Sequence, residues 1–164
     1  MLRRWAFLII ATIVVALDQL SKSWIRSNIS FGEEFFQFGR LTLVHVWNTG
    51  AAFGMFTDQT VLLSVIAIAG LVLILILYRQ MPASIIGSLA LGLVFGGAIG
   101  NLTDRLRLGH VTDFIDVRLW DDYHWPAFNV ADSCITIGTI TLAIFIIIVE
   151  TKKDNARKSR TTNI

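Results

Sequence analysis

Four long apolar runs limit what this chain can fold into. Residues 5–24, 60–77, 83–102 and 133–149 are each long and apolar enough to cross roughly 30 Å of hydrocarbon as a helix. The first is apolar only to Leu17; Asp18, Gln19, Ser21 and Lys22 occupy its last turns. Hydrophobic residues make up 54% of the 164 and charged residues only 16%, whereas a soluble domain is usually nearer a quarter charged. That excess exceeds what one core can hold, so lipid is the expected solvent. One integral membrane domain over residues 1–164 is expected, with outer connections 25–59 and 103–132 and a charged tail 150–164. The first run also fits a cleavable signal peptide, with Arg3-Arg4 as its basic start and Val14-Val15-Ala16 as a cleavage site; cleavage there leaves three spans.

Lysines and arginines orient the spans. Arg3, Arg4, Arg79, Lys152, Lys153, Arg157, Lys158 and Arg160 fall on one side, against Arg26, Arg40, Arg105, Arg107 and Arg118 on the other. By the positive-inside rule the first side is cytoplasmic, with both termini there and the long connections outside. A basic tail beside a span reads as an orientation signal rather than a nucleic-acid stripe, so no nucleic-acid partner is expected. Cys134 is the single cysteine; no internal disulfide is possible, and inside an apolar run it reads as a small hydrophobe.

The outer connections are aromatic. Residues 25–59 hold Phe31, Phe35, Phe36, Phe38, Trp47, Phe53 and Phe56, and residues 41–47 are β-prone with partial alternation, which predicts a strand. An apolar strand there needs a partner or a membrane surface, where Trp and Tyr are favoured; Trp120, Tyr123 and Trp125 extend the belt. Pro126 breaks helix before the last span. The expected fold is an all-α membrane protein of four transmembrane helices with a small extracytoplasmic β-sheet at the membrane interface.

Five polar phrases interrupt this pattern, and each has a plain structural reading. Asp18 and Lys22 form an i, i+4 pair, although aspartate at bilayer depth costs about 2.5–3.5 kcal/mol on insertion scales. Asn48-Thr49-Gly50 reads as a turn or as an amide that orients a peptide. The small residues of Gly96-Gly97-Ala98-Ile99-Gly100 allow close helix approach; beyond them Asn101 and Arg105 share a helix face, while Asp104 points elsewhere. Asp113 reads as an ordinary loop acid beside Asp116, Asp121 and Asp122. Asn129 caps the last helix, placing Asp132 in its positive first turn. These features describe a membrane protein with an acidic outer site; they do not single out Asp113 and Asp132 among the acids.

The phrases occur in a set order: Asp18-Gln19-Leu20-Ser21-Lys22, Asn48-Thr49-Gly50-Ala51-Ala52-Phe53, Gly100-Asn101-Leu102-Thr103-Asp104-Arg105, Val111-Thr112-Asp113-Phe114 and Phe128-Asn129-Val130-Ala131-Asp132. In this order, from Trp5 to about Val149, the chain resembles the bacterial lipoprotein signal peptidase family, signal peptidase II. The resemblance implies an aspartic endopeptidase of the plasma membrane that cuts diacylglyceryl-modified prolipoproteins just before the lipidated cysteine. It carries Asp113 and Asp132 over as the catalytic pair. Asp18, Lys22, Asn48, Gly50, Phe53, Asn101, Arg105, Asn129 and Ala131 carry over as substrate-binding or supporting positions, with Phe53 as a substrate contact. Two close carboxylates share one proton because both cannot ionise cheaply, so one can activate water while the other protonates. No cofactor or metal is expected, since His45, His110 and His124 lack metal-ligand spacing. No serine sits in a nucleophile elbow, and Ser21 and Lys22, as helix neighbours, point about 100° apart. The expected partners are lipidated signal peptides and membrane lipid, with the chain acting as a monomer. The competing classes are a small proton-coupled transporter, whose acids belong nearer the midplane, and a non-enzymatic membrane factor that binds signal peptides. A lipid-phosphate hydrolase fits less well, because no arginine cluster or metal site is evident.

Overall fold

The computed structural model describes residues 1–50, 55–120 and 123–162, with side chains to Lys152. Its helices are α1 (Leu2–Asn28), α2 (Thr60–Gln80), α3 (Ile85–Leu108) and α4 (Val130–Thr162), and its strands β1 (Glu34–Phe38), β2 (Leu41–Asn48), β3 (Val111–Trp120) and β4 (Tyr123–Phe128). All four helices are long and apolar enough to cross a membrane, α4 over Val130–Lys152. The expected fold class, four such helices with a small sheet, is what the chain adopts.

α3 is central and packs against α1, α2 and α4. It can do so because its contact faces are glycine. A Cβ at Gly96 would lie 2.8 Å from the Ala11 carbonyl of α1, and one at Gly97 would lie 2.5 Å from the Ala131 carbonyl of α4. The interior is correspondingly thin. Phe7, Ile74 and Leu91 form one buried apolar cluster, while Leu8, Ile9, Ile13, Val61, Ile66, Ile140 and Ile147 point outward. The helices therefore wear their apolar residues outside, as a lipid solvent requires.

The helices outrun the apolar runs. α1 continues past Leu17 by inverting its pattern: Asp18, Lys22 and Ile25 turn inward and are buried, while Leu17, Leu20 and Trp24 face out. α3 continues to Leu108 and stops at Gly109, whose left-handed φ of 80° suits glycine.

The strands form one antiparallel sheet in the order β1-β2-β3-β4. β1 and β2 are joined by a two-residue turn in which Gly39 takes φ +60°. Pro126 sits in β4, an edge strand, where a missing N–H is tolerated. The sheet joins the helices through Ile25, Ile29 and Phe114, a second buried cluster. Two features aim the site. A bulge in the β2–β3 ladder between Leu43 and Val46 falls beside the Val46–Asp113 pairing, and a bulge re-aims neighbouring side chains. The β3–β4 pairing places Phe128 opposite Ile115, and only Asn129 separates β4 from α4. The sheet therefore delivers the start of α4 to the start of β3.

Candidate active site

Asp113 and Asp132 converge at that junction. Asp113 is only 2% exposed; Asp132, in the first turn of α4, is half-buried. Asn129 connects them. Its side-chain nitrogen donates to Asp113 Oδ1 at 2.6 Å, and its backbone N–H donates to Asp132 Oδ2 at 3.2 Å. The Asp132 N–H returns a bond to Asn129 Oδ1 at 3.0 Å, a reciprocal cap built from Asn and Asp. The capping expectation for Asn129 and its role beside the pair are thus the same geometry.

Three asparagines face these carboxylates, each with its amide orientation pinned from behind. Asn101 accepts from Lys22 Nζ at 2.8 Å and donates to Asp132 Oδ1 at 2.8 Å. Asn48 accepts from the Gly50 N–H at 2.9 Å and donates to Asp113 Oδ2 at 2.9 Å. Asn129 accepts from Asp132 and donates to Asp113. An ammonium or a backbone N–H can only donate, so each asparagine must present its oxygen to that donor and its NH₂ to a carboxylate.

Behind this layer lies a charge-balanced buried cluster. Lys22 Nζ is 2.9 Å from Asp18 Oδ2 and 3.6 Å from Asp104 Oδ2, and Arg26 Nη1 is 3.6 Å from Asp104 Oδ1. Asp18 and Lys22 have no exposed surface, so they hold each other rather than reach the cavity. Asp18 Oδ1 also accepts from the Ala131 N–H at 3.0 Å, which ties α1 to the first turn of α4. Asp104 accepts from the Thr112 N–H at 3.0 Å and so fixes the residue before Asp113. Asp104 and Thr112 are the members that sequence reasoning passed over. Asp104 does point away from Arg105, but it lies three residues after Asn101, and that spacing places both toward Lys22. Ser21 bonds the Asp18 carbonyl in its own helix and makes no pair with Lys22.

A cavity of about 870 Å³ opens in front of the carboxylates, lined by Asn48, Gly50, Asn101, Arg105, Asp113 and Asp132 among others. Arg105 Nη2 donates to the Gly50 carbonyl at 3.1 Å, tying α3 to the loop after β2. Gly50 must be small: a Cβ there would lie 2.7 Å from the Met55 carbonyl. Phe53, expected as a substrate contact, lies outside the described residues. On its other side the cavity is walled by Trp125, Phe128, Thr136 and Ile137, and Ile137 is 56% exposed, so this wall reaches the apolar surface of α4. Among the described residues, no three His, Cys, Asp or Glu side chains are disposed to hold a metal ion.

Burial, and then the negative charge of Asp132, push the Asp113 carboxyl up to about 7, against the bonds from Asn48 and Asn129 and the charge of Lys22. A carboxyl that keeps its proton near neutrality, beside a second and wetter carboxyl, can donate a proton while its partner accepts one.

Comparison with known proteins points to one family. A family model described as signal peptidase (SPase) II matches residues 10–148. A lipoprotein signal peptidase of Syntrophotalea carbinolica is 45% identical over 148 residues, covering 83% of this chain and 88% of the relative. One from Moorella thermoacetica is 43% identical over 140 residues, covering 83% and 89%. A bacterial membrane enzyme solved by the in meso method superposes with a TM-score of 0.77 at 32% identity, covering 93% of this chain and 90% of that one. With its fold, its paired carboxylates and these relatives in agreement, the chain belongs to the signal peptidase II family and is a membrane peptidase.

Proposed function

We propose that this protein is an aspartic endopeptidase that removes the signal peptide from diacylglyceryl-modified bacterial prolipoproteins, cutting just before the lipidated cysteine, with Asp113 and Asp132 as its catalytic pair. The carrying observation is that Asn129 bonds both carboxylates at the wall of one cavity. Asp113, the more enclosed acid, holds the proton at rest. The ionised carboxylate takes a proton from water as the oxygen adds to the scissile carbonyl. The protonated carboxyl donates to the carbonyl oxygen, and collapse of the tetrahedral adduct sends a proton to the departing nitrogen.

Asn48, Asn101 and Asn129 hold the carboxylates as neutral donors, so the shared proton is not lost to a neighbouring cation. The buried Asp18–Lys22 pair and Ala131 keep the first turn of α4 in place, and Arg105 and Gly50 shape the loop where Phe53 meets the substrate. The substrate enters sideways between α4 and the sheet, its acyl chains still in the bilayer. Its scissile segment unwinds, because helical hydrogen bonds conceal the carbonyl. The protein works as a monomer in the plasma membrane, with both termini cytoplasmic and the site near the outer face, following the distribution of lysine and arginine.

The test is cleavage of a diacylglyceryl prolipoprotein by purified protein in detergent. Asp113→Asn and Asp132→Asn should each lower turnover at least about 10³-fold with folding intact, and an unlipidated precursor should be cut poorly. Near-normal turnover by either variant would overturn the dyad. Substrate binding without any cleavage by the wild type would favour a non-enzymatic signal-peptide factor.

A further inference from the structure

The far ends of α1 and α2, remote from the carboxylates, enclose a second cavity of about 620 Å³. Phe7, Leu8 and Leu75 make its apolar wall; Arg3, Arg4 and Arg79 also line it, and none of its lining residues is acidic. Arg3 is committed to α2: it donates to the Tyr78 carbonyl at 2.7 Å and the Met81 carbonyl at 3.2 Å, and its guanidinium lies 4.5 Å above the Tyr78 ring. That placement is favourable, since a cation meets the negative C-terminal end of α2.

Arg4 and Arg79 differ. Both are exposed, and neither guanidinium makes a hydrogen bond or ion pair among the described residues. Arg4 stands in the first turn of α1, a turn without an acid, where the helix dipole favours an anion and opposes a cation. The Tyr78 hydroxyl is buried behind this surface, without a hydrogen-bond partner among the described residues. Two uncompensated guanidiniums and a helix N-terminus therefore border a space with an apolar side, and Leu8 and Leu75 continue onto the outer helix faces, 53% and 43% exposed.

We propose that this cavity binds the phosphodiester headgroup of an anionic membrane phospholipid. The headgroup lies between Arg4 and Arg79 at the start of α1, and the acyl chains run along Leu8 and Leu75. The charge of the site excludes a signal peptide, whose leading segment is itself basic. The apolar wall distinguishes a lipid from a free anion. The inference does not depend on the reaction at the opposite end of the helices.

Native mass spectrometry of the full chain in neutral detergent tests it, by titration with dilauroyl phosphatidylglycerol and with the phosphatidylcholine of the same chains. One phosphatidylglycerol should bind at least about tenfold tighter than phosphatidylcholine, and Arg4→Gln with Arg79→Gln should weaken it about 30-fold, at about fivefold for each cation near a lipid surface. Arg79→Lys should stay within about threefold of wild type, because lysine remains a phosphate binder; its thermal midpoint reports folding. Equal affinity for the two lipids, or unchanged phosphatidylglycerol binding by the double glutamine variant, would overturn the proposal. So would displacement of the lipid by inorganic phosphate at equal concentration, which would make the site a receptor for a bare anion.

Discussion

At the scale of single residues, the least typical group is the Asp113 carboxyl, and its titration gives a signed prediction. Its folded pKa, about 7, lies above the ordinary aspartate value of 3.8, so the folded protein keeps a proton that the unfolded chain has lost between those values. The stability tied to that proton is complete below about pH 4 and declines as pH rises toward 7, by about 4 kcal/mol at 1.36 kcal/mol per unit. Asp113→Asn cannot ionise and escapes the decline. The thermal midpoint of the variant in detergent, relative to wild type, should therefore rise between pH 5 and pH 7 and level off above that; a constant difference would show that Asp113 is ionised throughout. Wild-type kcat/KM should fall above about pH 7 in the same series, as the pair loses the proton it shares. The resemblance marks Asp113, Asp132, Asn101 and Asn129 because they stand in short phrases of a known order. What could not be read was which way each amide points. That depends on Lys22, Gly50 and the α4 backbone, which lie far from the carboxylates in sequence or act through main-chain atoms.

At the scale of elements, the site depends on how closely α3 approaches α1 and α4, and the glycines of α3 set that distance. A Cβ at Gly100 would run into the Asp18 carboxylate, which is held by Lys22 and by the Ala131 N–H and has no room to swing aside. Gly100→Ala should destabilise the protein by about 1–3 kcal/mol, as overpacking does. It should also lower kcat, because displacing Asp18 releases the turn of α4 that carries Asp132. Gly70 in α2 is the matched control: nothing lies within 4 Å of its Cβ direction, and Gly70→Ala should be neutral or slightly stabilising. Equal effects of the two substitutions on thermal midpoint and turnover would mean that glycine serves α3 through helix propensity rather than contact. The reading of residues 96–100 as a close-packing stripe was available from composition. The strands of the second connection were less readable. Residues 115–119 alternate, with Asp116 and Arg118 at the polar positions, but aspartate is depleted in strands. The β3–β4 hairpin that brings Asn129 to Asp113 was therefore missed, while the apolar β2 was seen.

At the scale of the whole molecule, the helices and the sheet share one feature, since both expose large apolar side chains. The four spans were readable because their apolar runs are continuous. The expectation that the sheet lies at the membrane interface rests on its aromatics. Every position of β1 is exposed, with Phe35, Phe36 and Phe38 each more than half open, and a strand uncovered on both faces cannot draw its stability from a protein core. Across the sheet Trp47 and Trp120 are 49% and 62% exposed, and Trp120 stacks on Tyr123 with ring centroids 4.9 Å apart. Such rings are most stable at headgroup depth, with one side apolar and one wet. A variant that keeps Trp120 as its only tryptophan, reconstituted into vesicles, should accordingly be quenched by lipids brominated high on the acyl chain and much less by lipids brominated near the chain end. Deep quenching would place the sheet among the acyl chains, and no quenching would lift it into water. Only the shallow result leaves the carboxylate cavity level with the point where a membrane-held peptide emerges from the hydrocarbon.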